Sequence, residues 1–521
     1  MESLYFKEIL FGKTDASNEL IEVGNDYYLS SFLEYERYQI EDFFEGKKYF
    51  ILGRKGTGKT ALLKYMQCKF ESNPINLVIP IRFKSDFDEV DRKQVKSAGF
   101  VSAEEVVESN NTGLKSYVTA WQVYLIYQIF KRIHSNNTEY SVFCDSKEYS
   151  LLWKLLKLIY GEDGGNKIVP KISKGFIKIS AGNKGIDAAL AAEIELNDNK
   201  INYSITAKKI IDLYELLVFD RTPVYVLVDE LELSVKSKKM RDADIELVRD
   251  LILAVDKLNR ISKVNSYAVN FYASVRTDVV DSVLSSGYEI NKCVEDYGVT
   301  IEWYQRGGDY KTNPLLKLLE KKINSSENVK LKHSSNNVWE TYFEEIVHGT
   351  EIRKFLLNYS WHRPRDVVRM MQYAQDYCDK KTIKINQAVF DRAIQQYSNK
   401  MWNEVSEEIS LKYSQDDIKA IKKILTGIQV PFNLNSINSR IKELAELYDY
   451  VEQFRNKYKL PDVLELLFDW GIIGNSGERM VFSFLGYKEL DITKPMIIHT
   501  PLRNFFEVVS GNSCRKHGYG R

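Results

Sequence analysis

The feature that most constrains the fold of this chain is the stretch at residues 50–66, FILGRKGTGKTALLKYM. Residues 53–60 fit the phosphate-binding pattern G-x-x-x-x-G-K-T, known as the P-loop. A short apolar run at residues 49–52 predicts a strand before the loop, and residues 61–66 predict a helix after it. The alternative, a glycine-rich turn with an unrelated lysine, is disfavoured because both flanks fit the strand-loop-helix context.

In a loop of this kind the glycines let the backbone wrap closely, so that N–H groups and the helix N-terminus point at the β- and γ-phosphates. Lys59 then supplies a mobile positive charge, which also makes it a candidate catalytic residue, and Thr60 supplies a hydroxyl for Mg²⁺. The predicted nucleotide-binding residues of the loop are Gly53, Gly56, Thr57, Gly58, Lys59, Thr60 and Ala61.

A second motif, VYVLVDELE, places two acidic residues after an apolar run. Residues 224–228 predict a buried strand that delivers Asp229 and Glu230 at its carboxyl end, where ligand sites of open α/β sheets lie. We expect Asp229 to hold Mg²⁺, directly or through water, and Glu230 to act as the catalytic base that polarises the attacking water. An acidic pair after a strand is common by itself, but a P-loop in the same chain favours the catalytic interpretation.

Two further motifs carry candidate phosphate sensors. The run NSYAVNFYASVRTD predicts a strand with Ser274 and Arg276 at its carboxyl end. We expect this strand between the P-loop strand and the acidic strand, so that Arg276, or as second choice Ser274, senses the γ-phosphate; the alternative is a surface arginine. In HRPRD, Pro364 suits the first turn of a helix, and Arg365 beside it could reach over the nucleotide, unless the cluster is an ordinary surface one.

The rest of the chain predicts an α/β fold: a doubly wound parallel sheet of the P-loop NTPase type with a helical lid. Residues 74–83 and GVTIEWYQ predict two more strands, and residues 114–134 predict an interior helix with Trp121 in the core. The length of 521 residues suggests several domains. The predicted division is an N-terminal helical brace at 1–41, a P-loop domain at 42–335 with a small β insertion near 161–206, a helical lid at 336–400, and a winged-helix-like domain at 401–521.

The predicted C-terminal domain reads as three helices followed by strand-like residues, NSGERMVFSFLGY, an order typical of a winged helix. A DNA-reading module needs a basic second helix region. Between residues 432 and 459, five basic residues stand against four acidic ones. This balance favours a contact with protein, and DNA binding remains the alternative.

Composition excludes several classes. Lys and Arg total 73 against 72 Asp and Glu, so the overall charge by itself favours no partner, and nucleic-acid binding through a local basic face stays open. The five cysteines lack metal-binding spacing and indicate free thiols in a reducing cytoplasm, and the N-terminus does not resemble a signal peptide. Because no apolar run approaches the length of about 18 residues that spans a membrane, we expect no membrane partner.

The motifs GRKGTGKT, VLVDELE, FYASVRTD and HRPRDVV, in this order, resemble the bacterial AAA+-type P-loop ATPases related to the STAND and ORC/Cdc6 groups. The opening LFGKTDASNE is also similar to bacterial ATPases associated with defence against phages. The resemblance covers most of residues 10–400. It implies ATP as the nucleotide, a protein effector or regulator as partner, and an ability to form homo-oligomers.

The resemblance also bears on individual residues. It implies Asp229 and Glu230 as the Walker B pair, favours Arg276 as the first sensor, and supports Arg365 as a second, catalytic sensor. Pro364 corresponds to the proline of the lid motif that contacts adenine. His362 departs from the family, which has glycine there, and the large insertion before Asp229 is a second departure. Three arginines are equal candidates for an arginine finger: Arg249, Arg260 and Arg306.

Overall fold

The computed structural model describes residues 3–82, 117–135, 140–161, 172–173, 176–178, 194–195, 200–231, 238–285, 290–305, 307, 309–410, 412–477 and 479–508. The chain forms two compact units. The sheet unit comprises residues 34–55 and 59–301, and the helical unit comprises residues 1–33, 56–58 and 302–521. The four-domain division drawn from the sequence remains a prediction.

The strands of the described chain follow one another as β1 (Phe50–Gly53), β2 (Leu77–Arg82), β3 (Ile172–Ser173), β4 (Phe176–Lys178), β5 (Lys200–Asn202), β6 (Val224–Leu231), β7 (Val269–Arg276), β8 (Gly298–Thr300), β9 (Ile346–Val347), β10 (Thr350–Glu351), β11 (Ile473–Asn475) and β12 (Met496–Ile498). Strands β1 to β8 belong to the sheet unit and the others to the helical unit.

The α-helices of the described chain are α1 (Ala16–Ser31), α2 (Ile40–Phe44), α3 (Lys59–Glu71), α4 (Val118–Ser135), α5 (Lys147–Tyr160), α6 (Tyr203–Glu215), α7 (Lys238–Val264), α8 (Thr277–Ser285), α9 (Asn291–Tyr297), α10 (Pro314–Leu331), α11 (Val338–Tyr342), α12 (Ile352–Asn358), α13 (Pro364–Tyr377), α14 (Gln387–Ile409), α15 (Gln415–Leu425), α16 (Leu434–Ala445), α17 (Asp449–Lys457), α18 (Leu460–Asp469) and α19 (Thr500–Val508).

The sheet unit is built on a parallel sheet in the order β2-β6-β7-β1-β8. Its strands are rich in Val, Ile, Phe and Tyr and are largely buried, as expected for a sheet covered on both sides. Strand β7 pairs with both β1 and β6, and its Ala273 lies opposite Phe50 on one side and Val228 on the other. The predicted position of this strand, between the P-loop strand and the acidic strand, is therefore confirmed.

Helices pack on this sheet as the sequence predicts. The predicted interior helix is α4, where Trp121 is buried and its indole Nε1 donates a hydrogen bond to the carbonyl of Leu247 at 3.1 Å. The predicted insertion at 161–206 contains the three-stranded antiparallel sheet β3-β4-β5 among its described residues. The rest of that prediction lies outside the described residues.

In the helical unit, the N-terminal segment packs on α10. Asp15 caps α1 by accepting the N–H groups of Ser17 and Asn18. Further along α1, the buried Glu19 forms an ion pair with Lys322 at 2.5 Å. A buried charge is stable only when paired, so this contact holds α1 to α10. The LFGKTDASNE motif is thus explained by packing, including Gly12, which lies at a φ of 92° directly against the Glu19 carboxylate.

The C-terminal residues differ from the prediction in two places. The second of the three predicted helices, residues 437–454, is two helices, because α16 ends at Ala445 and α17 begins at Asp449. Among the described residues of the strand-like run 475–487, Asn475 ends β11 and forms a bridge with Val481, and Ser483–Leu485 form a 3-10 turn. The partner of β11 is instead β12, which the sequence pattern did not reveal. The winged-helix assignment remains a prediction.

Candidate functional site

The P-loop leaves the sheet unit at the end of β1. All of β1 is buried, and its pairing with β7 and β8 fixes where the chain exits, at Gly53. Helix α3 begins at Lys59. Between them, Gly56 and Gly58 have φ values of 84° and 100°, a region that favours glycine because it has no Cβ. The two glycines are therefore required by the backbone of the loop.

Lys59 and the start of α3 give the loop its anion-binding chemistry. The Lys59 ammonium donates hydrogen bonds to the carbonyls of Gly53 at 3.0 Å and Arg54 at 3.1 Å. Thr60 and Ala61 lie in the first turn of α3, where backbone N–H groups point along the axis and carry the positive end of the helix dipole. A lysine and a helix N-terminus at one loop are a combination suited to phosphate.

The acidic strand ends beside the neighbouring strand β7. Asp229 is buried, and its carboxylate Oδ1 accepts a hydrogen bond from the equally buried Ser274 hydroxyl. This bond orients the carboxylate and occupies the Ser274 hydroxyl, which favours a positioning role for Ser274. Glu230 is the next residue of β6, at the predicted end of the strand. The position of its side chain lies outside the described part of the structure.

Arg276 ends β7 directly opposite Gly53, the first glycine of the P-loop. Its Nε and Nη2 atoms each donate to the Asp278 carboxylate at 2.9 Å. The strand pairing therefore brings the residue to the loop, while its guanidinium contacts an acidic residue on α8. Its sensor role stays a prediction.

The tip of the P-loop, Gly56 to Gly58, belongs to the helical unit and contacts the start of α13. The N–H of Arg365 lies 3.5 Å from the Gly56 carbonyl oxygen, and a Cβ added at Gly56 would lie 3.3 Å from the Arg365 Cβ. Trp303 also donates from its indole to the Thr57 carbonyl at 2.8 Å. Pro364 is the first residue of α13, as predicted. The structure thus brings Arg365 against the P-loop, and adenine contact by Pro364 remains a prediction.

Sequence reasoning missed the partners of Arg365. Three arginines at the start of α13 surround one carboxylate of α14: Glu404 Oε2 lies 2.9 Å from Arg369 Nη1, and its Oε1 lies 3.6 Å from Arg363 Nη1 and 3.8 Å from Arg365 Nη1. Arg363 also forms a two-bonded ion pair with the fully buried Asp366, at 2.9 and 2.8 Å. The spacing of Arg365 and Arg369 places both on one face of the helix and could have indicated a basic cluster. No sequence pattern indicated that Glu404 is its partner.

The electrostatics of this cluster follow from burial and charge. Burial alone raises the pKa of Glu404, but the charges of Arg363, Arg369 and Arg365 outweigh it and lower the pKa to about 2. Burial is also the main cause that lowers the pKa of Arg365, and the repulsion from Arg363 and Arg369 adds to it. The charged form of Arg365 is therefore disfavoured by its surroundings.

His362, the predicted departure from the family, has a physical explanation. Its φ of 50° is in the left-handed region, where glycine is the least costly residue. The imidazole packs edge-on against Tyr304, with ring centroids 5.1 Å apart, and its buried Nδ1 has no hydrogen-bond partner in the part of the chain that the structure describes. Burial lowers its pKa to about 4 against the opposing charge of Asp366, so the ring is neutral near pH 7. Histidine here adds aromatic packing and places no charge beside Arg363.

The arginine-finger candidates are now distinguishable. Arg249 is buried and paired with Asp250 at 2.6 Å, which disfavours it as an arginine finger. Arg260 is exposed and pairs with Asp256 at 2.9 Å. Arg306 lies outside the described residues.

Two searches over the described residues were negative. No group of three or more His, Cys, Asp or Glu side chains there could hold a metal ion. Nor does that part of the chain contain a helix with the length and apolar character needed to cross a membrane.

The strand order and the loop define the class of fold. A P-loop follows strand β1 of a parallel sheet, and the acidic strand β6 is separated from it by one strand. The chain therefore has an α/β P-loop NTPase fold of the AAA+-like type.

Comparisons with known proteins add a family match and distant similarities to solved structures. Residues 313–406, from the N-cap of α10 into α14, match the family described as the FunZ-associated C-terminal helical domain. The chain is also similar to the crystal structure of Cdc6p from Pyrobaculum aerophilum, with 10% identity, a TM-score of 0.32, and coverage of 94% of this chain and 97% of that chain. So distant a similarity transfers no residue role. None of the curated proteins matches the chain.

Proposed function

We propose that this protein binds ATP with Mg²⁺, hydrolyses it, and acts as a switch that couples its nucleotide state to a partner protein. The observation that carries the proposal is the contact of the P-loop tip with the start of α13, where Gly56 lies against Arg365. An arginine beside a phosphate-binding loop is placed to respond to the charge of a terminal phosphate. Loss of that phosphate on hydrolysis would then change the environment of α13.

The residues of the loop fit a nucleoside triphosphate. Phosphate oxygens would take the place of the carbonyls that now accept hydrogen bonds from Lys59, and they carry more charge than a carbonyl does. The Thr60 hydroxyl and the Asp229 carboxylate are oxygen ligands of the kind that Mg²⁺ prefers. Mg²⁺ supplies charge neutralisation to the β- and γ-phosphates when bound. The Ser274 bond holds the Asp229 carboxylate in one orientation for this role.

Catalysis is assigned to Glu230 as the base that orients and deprotonates water, with Arg276 and Arg365 responding to the γ-phosphate. Arg276 would exchange its Asp278 partner for phosphate oxygen, since both are anionic. The supporting observation for Arg276 is its position opposite Gly53 in the strand pairing.

The test separates binding from hydrolysis. In Glu230→Gln the ATP Kd should stay within about threefold of wild type, while turnover falls by roughly 10²–10⁴-fold, the usual contribution of a general base. Glu215→Gln, an exposed change at the end of α6, is the matched control and should retain turnover. Wild-type turnover in Glu230→Gln would overturn the catalytic assignment.

DNA binding is the alternative function, and the basic residues of α16 and α17 weigh against it. Arg440 donates to the carbonyls of Ile424 and Thr426 at the end of α15, and Lys457 pairs with Asp417 at 3.0 Å. These two charges have protein partners. Binding to duplex DNA that weakens steeply with salt would favour the alternative, because phosphate contacts release counterions. No binding at low salt would remove it.

The proposed setting is bacterial defence against phages, with a protein effector as the partner. It is supported by the motif resemblance at residues 10–400. Cells that carry the wild-type gene and its neighbours should resist infection, and cells with Lys59→Ala should not. Equal resistance in both would separate the ATPase from defence.

A further inference from the structure

The cluster at the start of α13 contains more positive than negative charge. Arg363, Arg365 and Arg369 face two carboxylates, Asp366 and Glu404, and each of these side chains is at most 26% exposed. Buried charges are costly unless opposite charges offset them. The cluster is therefore one that an additional anion would stabilise.

The five charged side chains differ in how closely each one contacts its ion-pair partner. Arg363 makes two short bonds to Asp366, and Arg369 makes one of 2.9 Å to Glu404 Oε2. Arg365 lies 3.8 Å from Glu404 Oε1, an ion-pair distance beyond hydrogen-bond length. Glu404 Oε1 is buried and has no hydrogen-bond partner among the described residues. The link between Arg365 and Glu404 is thus the weakest in the cluster and the first that a competing anion would break.

The same arginine contacts the P-loop. Its N–H is 3.5 Å from the Gly56 carbonyl oxygen and its Cβ would be 3.3 Å from a Cβ at that glycine. A phosphate held by this loop would be an anion within the reach of a guanidinium, whose side chain spans several ångströms.

We propose that Glu404 is a positioning residue that holds Arg365 in the absence of nucleoside triphosphate and competes with the terminal phosphate for it. The inference rests on the proposed ATP-binding function and assigns a residue of α14 that no motif includes. Arg365 then has two alternative partners, a carboxylate and a phosphate, and bound ATP exchanges the first for the second. Such a residue with two arrangements is the physical requirement for a switch.

The exchange has a path to the C-terminal residues. Trp402, two residues before Glu404 on α14, packs its ring on Phe505 and Phe506 of α19, with centroids 5.5 and 5.2 Å apart. When Arg365 leaves Glu404, the remaining pull on this carboxylate comes from Arg363 and Arg369 alone. The change in the ion pairs of Glu404 therefore acts on α14, the helix that packs against α19.

The variant Glu404→Gln tests the inference because it keeps the side-chain shape and removes the charge that competes for Arg365. We expect its affinity for ATPγS to rise about fivefold, equivalent to about 1 kcal/mol, with ADP affinity within twofold of wild type. Glu407→Gln is the matched control, an exposed glutamate on the same helix, and should change neither affinity. A parallel change in both affinities, or none for ATPγS, would overturn the inference.

Two further variants keep the result interpretable. Replacing Arg365 by Ala in the Glu404→Gln background should abolish the gain, because the two residues act as a pair. If Glu404→Gln does not fold, Glu404→Asp retains the charge but withdraws it by one methylene, and ATPγS affinity should rise by a smaller factor. Absence of ATPγS binding by the wild type would refute the proposed function itself. Normal wild-type binding with no effect at Glu404 would refute only this inference.

Discussion

The contact between Gly56 and Arg365 makes a prediction that can be worked out from the structure. In Gly56→Ala the residue must hold a φ of 84°, which costs an L-residue about 1–2 kcal/mol. Its new Cβ would lie 3.3 Å from the Arg365 Cβ and 3.5 Å from the Arg363 Cδ, tighter than an ordinary contact at the first of these. Either the loop tip or the start of α13 must therefore move.

A second glycine provides the control. Gly486 has a φ of 78°, and a Cβ added there would meet nothing within 4 Å. Gly486→Ala should therefore show the backbone cost alone, a fall in Tm of a few degrees for a unit of this size. Gly56→Ala should show a similar fall in Tm and, in addition, at least a tenfold weaker ATP Kd, or about 1.4 kcal/mol.

The assay is isothermal titration of ATP beside thermal unfolding of both variants. The ATP Kd from the titration reports on the geometry of the loop, and the Tm from unfolding reports on the free-energy cost of the strained backbone. If Gly56→Ala bound ATP as tightly as Gly486→Ala, the loop tip would not need its contact with Arg365, and the reasoning would be refuted.

Three further outcomes are expected. Because burial lowers the pKa of His362 to about 4 from an unfolded value near 6.5, its contribution to stability is full above pH 6.5 and is lost as the pH falls toward 4. His362→Asn, which tolerates the left-handed backbone, should remove up to about 3 kcal/mol of that acid-induced loss. Asp229→Asn should keep ATP binding but raise the Mg²⁺ concentration for half-maximal turnover at least roughly tenfold, measured by titration. Trp402→Ala should cost about 3–5 kcal/mol in urea unfolding, because the buried ring packs on Phe505.

The central sheet was predictable from the sequence because its signals are local. Apolar runs of four to eight residues predict strands, and the P-loop marks which strand carries the phosphate site. The order of β7 between β1 and β6 followed from that class of fold and is confirmed. Pro364 at the start of α13 followed from the geometry of proline.

Other features were not predictable because their causes are distant in the chain. Arg365 lies at the start of α13 and Glu404 near the end of α14, so the two residues are far apart in the sequence. A single glutamate on a charged helix gives no sequence pattern that predicts an ion pair. The break between α16 and α17 contains no glycine or proline, so no local sequence signal predicts it. Strand β12 is three residues long and acquires its identity only by pairing with β11. In each case tertiary contact, rather than local propensity, decides the structure.

The most direct test of the account is the rate of phosphate release from ATP by the purified wild-type protein and by Lys59→Ala. Lys69→Ala, an exposed change on the same helix α3, is the control for loss of a positive charge. The account predicts Mg²⁺-dependent release by the wild type and the control, and none above background by Lys59→Ala. Release that survived the loss of Lys59, or a wild type that released no phosphate with ATP bound, would contradict the claim that this P-loop drives hydrolysis.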